Sequence, residues 1–397
     1  MPENVPPPLL STPRSPGRTA LVVVLSLCLG FFLADAFVSL ADDSLVAMFN
    51  SHRLTGIRMV VGTFAVLLAL AVYVLMALTA AVPKRWFLPI ALSFPLAPIL
   101  VLPFFIYWFA SMPWIAWGTS VAQVVLGLWI LFGLQGGFRI RWPLMPPERL
   151  GVPGFSWRNL GWFVAGNLLV LLPGIVIFVF ISGAVGVRHL SSGFMALRPS
   201  GITVQVRKYV RDGKTVEVFP MSHIADAAFY QSISQTFPTN SIILMEGVSD
   251  EKHLLTNGIS YHRAAKALGL SEQREVFVPK NGKRVRADVD VSVFSKDTLS
   301  LLNVVMLFHV KGLNANTLQA LDEYSTAPDL TDKLYDDLVR KRNQRLLEEL
   351  NAQLPQADYI VVPWGVAHMP QLERDLQKEN FKMIDARDYT VIQFFRH

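Results

Sequence analysis

Five apolar stretches, at 19–41, 57–82, 86–110, 113–134 and 159–187, decide what the first half of this chain can become. Each reaches the roughly 20 residues that a helix needs to cross the hydrocarbon core of a bilayer. In hydrocarbon every backbone N–H and C=O must be satisfied inside its own segment, so stretches of this kind fold as helices. Lys, Arg, Asp and Glu are absent from their centres, and Asp35 lies toward the end of the first. Prolines at 89, 95, 98 and 103 imply a kinked or broken third span. Residues 1–18, Pro-rich and without periodicity, have the composition of a disordered tail. Ala34-Asp35-Ala36 has the small-x-small form of a signal-peptidase site. The apolar run continues past it through Phe37 to Ala41, which favours a retained span.

Charge is distributed unevenly. Residues 1–189 hold 11 of the 36 Lys and Arg but only 5 of the 30 Asp and Glu, so the net charge of +6 belongs to the apolar half. That pattern belongs to basic loops beside a membrane and gives no reason to expect a nucleic-acid partner. Arg14 and Arg18, then Lys84 and Arg85, then Arg139, Arg141, Arg149 and Arg158 occupy alternate loops. The positive-inside rule places those loops in the cytoplasm, and five spans then bring residues 190–397 out on the other side. The spans read as an anchor, because a transporter needs ionisable groups near the midplane. The single cysteine, Cys28, excludes an intrachain disulfide and a cysteine-based metal site.

Beyond residue 190 the pattern becomes strand–helix alternation. Strands are expected at Ile202–Val210 and Thr215–Phe219 around the hairpin pair Asp212-Gly213, and at Ile242–Met245. Two more are expected at Arg274–Val278 and Val285–Val291 around Asn281-Gly282, and others at Tyr359–Pro363, Phe381–Ile384 and Val391–Phe395. Helices are expected at Ala225–Phe237, 260–270, Asp297–Val310, Leu330–Leu354 and Gln371–Asn380. The fold class is therefore a multi-span α-helical membrane domain (19–189) followed by an α/β domain (190–397) with a largely parallel sheet and added hairpins.

Three polar side chains then stand at strand carboxyl ends, the rim where open α/β sheets bind ligands. His223 follows VEVFPMS, Glu246 follows IILM, and His368 follows YIVVPWG. Gathering charge and imidazole on one rim is costly unless the site is used. Asp288 and Asp290 alternate within VRADVDV and so share a strand face, and Arg342 lies in the helix LVRKRNQRLLEEL. Each alone has a structural explanation, such as a cap for Glu246 or cross-strand pairing with Arg284 and Arg286 for the two aspartates. His189, His253, His262, His309 and His397 lack rim placement and read as structural.

At these residues the chain resembles the TraB/PrgY/GumN family, which includes the TIKI proteases. PMSHIADAAFY, ILMEGVSD, RKRN and VVPWGVAHMPQLERDLQKENFKMID look like its motif series over about 200–390. Gly365-Val366-Ala367-His368 matches the second GxxH, Glu246 the acidic motif, and Arg342-Asn343 the Arg-Asn pair. The first GxxH departs, with Pro220 standing for Gly before Met221-Ser222-His223. The resemblance implies an erythromycin-esterase/ChaN-like α/β fold and a membrane-anchored, outward-facing metal-dependent hydrolase, a peptidase by class. His223 and His368 would bind a divalent metal (Mn, Co or Zn). Glu246 would be a third ligand or the general base, and Arg342 would stabilise the oxyanion or hold a substrate carboxylate. Ser222, Asp288, Asp290, Asn343 and Gly365 complete the candidates. The alternative is a non-catalytic domain that binds a peptide or haem and signals to the spans.

Overall fold

The computed structural model describes residues 16–108, 111–137, 139–256, 261–311 and 329–395. The expected disordered tail falls mostly outside them. The chain divides into two compact units, residues 1–183 and 184–397.

Among the described residues five helices are long and apolar enough to cross a membrane, the last of them ending beyond residue 183. They are α1 (Pro16–Phe49), α2 (Thr55–Leu78), α3 (Lys84–Tyr107), α4 (Met112–Gln135) and α5 (Trp157–Leu190). Helix α3 carries all four prolines without a break, and α5 contains a π-turn at Asn167–Leu171. Leu25, Leu29 and Phe32 of α1 pack against Val72, Met76, Ile90 and Ile130 to form the centre of this unit. Polar groups join the helices as well, with Asn167 hydrogen-bonded to Tyr73 and Gln123 to Asp35. One expectation is corrected here. Helix α1 runs on to Phe49, so Asp35 sits near its middle, opposite a residue at the midpoint of α4. An ionisable side chain therefore does lie deep among the spans.

The second unit is an α/β sandwich. Its sheet is ordered β1 (Met195–Arg198), β2 (Gly201–Arg211), β3 (Lys214–Met221), β8 (Tyr359–Gly365), β5 (Ile242–Met245) and β7 (Lys283–Arg286), with β9 (Lys382–Gln393) paired to β2. A separate two-stranded ribbon joins β4 (Ile224–Ala225) to β6 (Ser271–Glu272). Period-two alternation sorts the side chains. Val216, Val218, Leu244, Ile360, Val362 and Trp364 face one layer, and Phe219, Met221, Ile243 and Val361 face the other. On the second face lies α6 (Ala227–Thr236), with Phe229, Tyr230 and Ile233 buried.

The first face is covered by two helical segments. One is α10 (Leu330–Tyr335), which passes through a π-turn at Asp336–Arg340 into α11 (Lys341–Gln353). The other is α12 (Met369–Lys378). The remaining helices, α7 (His262–Ala267), α8 (Gln273–Val276) and α9 (Lys296–Lys311), cluster after β5 and β7.

Three expectations are corrected. The sheet is mixed: β3, β8, β5 and β7 are parallel, while β1, β2, β3 and β9 meet antiparallel. The Asp212-Gly213 hairpin is present with both residues at positive φ. Asn281-Gly282 makes no hairpin, because Arg274–Val276 lies in the helical turn α8 and β7 pairs with β5 in parallel. Phe277 explains this, since it is buried against Phe237 over α6 and is unavailable to a sheet edge. Finally, residues 382–393 form one strand. Its polar middle, Asp385–Asp388, is exposed and pairs within the strand and with Arg198.

Trp364 ties the parallel strands to the site. It is fully buried, its Nε1–H donates to the Leu244 carbonyl at 2.9 Å, and its ring meets His368 edge-on. Trp364→Phe should cost about 1–3 kcal/mol by orphaning that carbonyl. Trp364→Ala should cost about 3–5 kcal/mol through the cavity it leaves. Denaturant melts of the purified protein check both values.

Candidate functional site

Parallel register brings four strand ends to one level. Met221 of β3 pairs with Gly365 of β8, and β5 and β7 end alongside at Met245 and Arg286. The residues that follow these strands, His223, Glu246, Asp288 and His368, therefore share one rim.

At its centre is Arg342, 14% exposed in its side chain, projecting from α11. Its Nε and Nη2 clasp Asp288 at 3.0 and 2.7 Å, and Nη2 also reaches Glu246 Oε1 at 2.8 Å. Nη1 donates to His368 Nε2 at 3.2 Å and to the Leu338 carbonyl at 3.4 Å. A guanidinium has five N–H groups, and this arrangement employs all of them. The carboxylates are held from behind as well. Glu246 Oε2 accepts from the Gly365 N–H at 2.7 Å, and Asp288 accepts from the N–H groups of Gly247 and Val289 at 2.8 Å each.

His368 is buried and its protonation state follows from its partners. Guanidinium can only donate, so Nε2 must present its lone pair. The proton then lies on Nδ1 and is donated to Asn343 Oδ1 at 2.7 Å, while Asn343 Nδ2 donates to the His368 carbonyl. Burial first, and the Arg342 charge second, push the imidazole down to about 4.

His223 behaves differently. It is exposed, its ring stacks on Tyr261 at 4.9 Å between centroids, and among the described residues its nitrogens have no hydrogen-bond partner. It lines a cavity of about 440 Å³ together with Glu246, Arg342, Tyr261, Glu272 and Arg274. That volume suits a small organic or peptide ligand. Met245, Val248, Leu255, Phe277, Phe294, Leu302 and Leu338 supply an apolar wall. Burial raises the Tyr261 phenol above its ordinary value, so it stays protonated at neutral pH.

The remaining candidates lie outside the cavity. The Ser222 hydroxyl donates to the Ile224 carbonyl. Asp290 caps the turn after β7, accepting from the N–H groups of Ser292 and Glu251, and hydrogen bonding from Ser292 holds its carboxyl below the usual range. Asp288 and Asp290 thus serve different partners. Neither periodicity nor strand-end placement marks Tyr261, Glu272 and Arg274 in the sequence, yet they line the cavity.

The rim also bears on the metal that the family resemblance implies. Glu246 Oε1 and His368 Nε2 stand 3.7 Å apart, a spacing one ion could bridge. The Arg342 guanidinium already fills that place, and His223 does not gather with these two atoms. Among the described residues, the three donors within 4.8 Å of one another are those of His262, Glu272 and Glu275. As arranged, His223, Glu246 and His368 do not fit a shared ion. Compared with known proteins, the chain matches no family model, no curated protein and no solved structure.

Two outcomes follow. Because the unfolded chain takes up a proton near pH 6.5 that folded His368 refuses until about 4, stability is full above that window. It falls by roughly 3 kcal/mol as pH drops through it. Denaturant melts from pH 7 to 4 should show this slope, flattened in His368→Gln. Arg342→Met leaves Glu246 and Asp288 without their cation and should cost about 3–5 kcal/mol. The same melts should recover part of that loss when Glu246→Gln and Asp288→Asn are added.

Proposed function

We propose that the cavity is the hydrolytic site of a membrane-anchored enzyme whose α/β domain faces away from the cytoplasm, acting on a peptide or similar acyl compound with an apolar side chain. The observation that carries this reading is the pairing of exposed His223 with protonated Tyr261 over an apolar wall, against a rim of buried, fixed charge. A substrate side chain lies on Met245, Phe277 and Phe294. His223, exposed to solvent, takes the proton from an attacking water and hands it to the leaving group as the acyl bond breaks. The Tyr261 hydroxyl donates to the carbonyl oxygen as negative charge develops there. Glu246, anchored by Gly365 and Arg342, lines the cavity on that side. Arg342 acts by holding this rim rigid, since its N–H groups are spent on Glu246, Asp288, His368 and Leu338.

The full chain in detergent, incubated with a peptide library, tests the chemistry. His223→Ala should lower cleavage by about 10²- to 10⁴-fold, the worth of a general base, with an unchanged melting curve because the side chain is exposed. Chelation by EDTA should leave cleavage intact; a need for Mn, Co or Zn would instead require Arg342 to swing out and an ion to enter between Glu246 and His368. A library left wholly uncut, with peptides retained, favours the binding-domain alternative.

Orientation rests on the basic loops and is read separately. Asp358→Cys, whose side chain is 87% exposed, should react with a membrane-impermeant maleimide in intact cells. Reaction only after lysis overturns the outward assignment.

A further inference from the structure

The connection between α4 and α5, residues 136–156, is tied down along its length. Gln135 Nε2 donates to the carbonyls of Arg141 and Leu144 at 3.1 and 2.9 Å. Met145 is fully buried among the spans, and its N–H donates to Ser26 Oγ of α1 at 3.0 Å. Arg18, also of α1, donates to the Pro147 carbonyl at 2.9 Å. Leu150 is buried in the same core, and the Gly151 N–H donates to the Ala81 carbonyl at 2.9 Å. The approach there is close, since a Cβ on Gly151 would stand 3.1 Å from Ala81 Cα. Phe155 forms a β-bridge with Thr79, and Ser156 caps α5. This long connection is therefore a platform fixed to the ends of α1, α2, α4 and α5.

Its outward side chains take no part in that fixing. Residues 136–158 hold four arginines and one acid, Glu148. Arg139, Arg141, Arg149 and Arg158 are exposed, and among the described residues none of them has an ion-pair partner. The opposite end of the helices treats its charge differently, for Arg58 is paired with both Asp42 and Asp43. Interleaved with the arginines stand Ile140, Trp142, Phe155 and Trp157, each more than half exposed. In Arg139-Ile140-Arg141-Trp142 cation and apolar residue alternate directly, and all four are exposed. Water rewards neither half of this display: like charges repel, and large apolar surface stays wet.

An anionic phospholipid satisfies both halves. The guanidinium fork matches phosphate oxygens two at a time. Tryptophan settles at headgroup level, which is where the ends of span-length helices lie. A free phosphate or a nucleic acid would meet the cations and leave Ile140 and Phe155 in water. We propose that the α4–α5 connection is a binding site for anionic phospholipid. Arg139, Arg141, Arg149 and Arg158 hold headgroup phosphates, and Ile140, Trp142, Phe155 and Trp157 enter the interfacial layer. The site requires only that the helices cross a bilayer. It is independent of the hydrolytic reading and of the side on which the α/β domain lies.

The full chain in detergent, incubated with equal amounts of phosphatidylcholine and phosphatidylglycerol and then repurified, tests it. Retained lipid is counted by mass spectrometry. Phosphatidylglycerol should be retained in preference, and less so as salt rises. Each arginine near an anionic surface contributes about fivefold, so Arg141→Gln should lower the preference by about that factor. Arg139→Gln, Arg141→Gln, Arg149→Gln and Arg158→Gln combined should abolish it. Arg53→Gln, which removes an exposed cation near the α1–α2 connection, should leave it unchanged. Should the combined variant fail to fold, the four single variants carry the test. Equal retention of the two lipids by the wild type overturns the proposal, as does a preference that survives these substitutions. Displacement of the lipid by an equal concentration of inorganic phosphate or of an oligonucleotide also overturns it, in favour of a soluble anion.

Discussion

The α/β unit is organised around the guanidinium of Arg342. Arg342 reaches from α11 to the ends of β5, β7 and β8 through Glu246, Asp288 and His368. Each partner is held again by a backbone N–H or by Asn343. A lysine could not do this, because three rotating donors on a point charge cannot clasp Asp288 through two parallel bonds while also meeting a second carboxylate and an imidazole. Such a network is unforgiving. Fully paired it fixes the relative placement of a helix and three strands; with one member missing it leaves charge stranded in a low dielectric.

That rigidity separates two kinds of polar group along the rim. The inner set has no spare donors and its histidine holds one tautomer. The outer set, His223 and Tyr261, stacks ring on ring where it lines the cavity. In the proposed reaction, proton movement falls to the outer pair and fixed geometry to the inner set.

Much of this could be read from the chain itself, for identifiable reasons. Membrane spans are legible because hydrocarbon permits so few alternatives, and all five lie where hydropathy puts them. That His223, Glu246 and His368 follow strand ends on one rim is legible from a parallel sheet, but only Glu246 and His368 meet there, while His223 stacks on Tyr261. The antiparallel half was harder, since β9 carries an exposed charged middle that looks like a loop until its pairing with β2 is known. The contact between Arg342 and Asp288 spans 54 residues and leaves no local trace. Asp35 reads as the end of its span because the apolar run fades before the helix does: α1 continues through Asp42 and Asp43, both paired with Arg58.

The π-turn at Asp336–Arg340, just before Arg342, has a consequence for how this site can change over generations. A π-turn carries one residue more than a regular helix would, and one residue corresponds to about 100° of rotation. The wider turn absorbs that residue, so deleting a single codon there would restore ordinary winding and leave Leu330–Tyr335 and Arg342 facing as they do. The same deletion in the regular helix after it would turn one flank by about 100° against the other. Lineages that keep the rim should therefore gain or lose a residue at this turn and keep the count from Arg342 to Gln353.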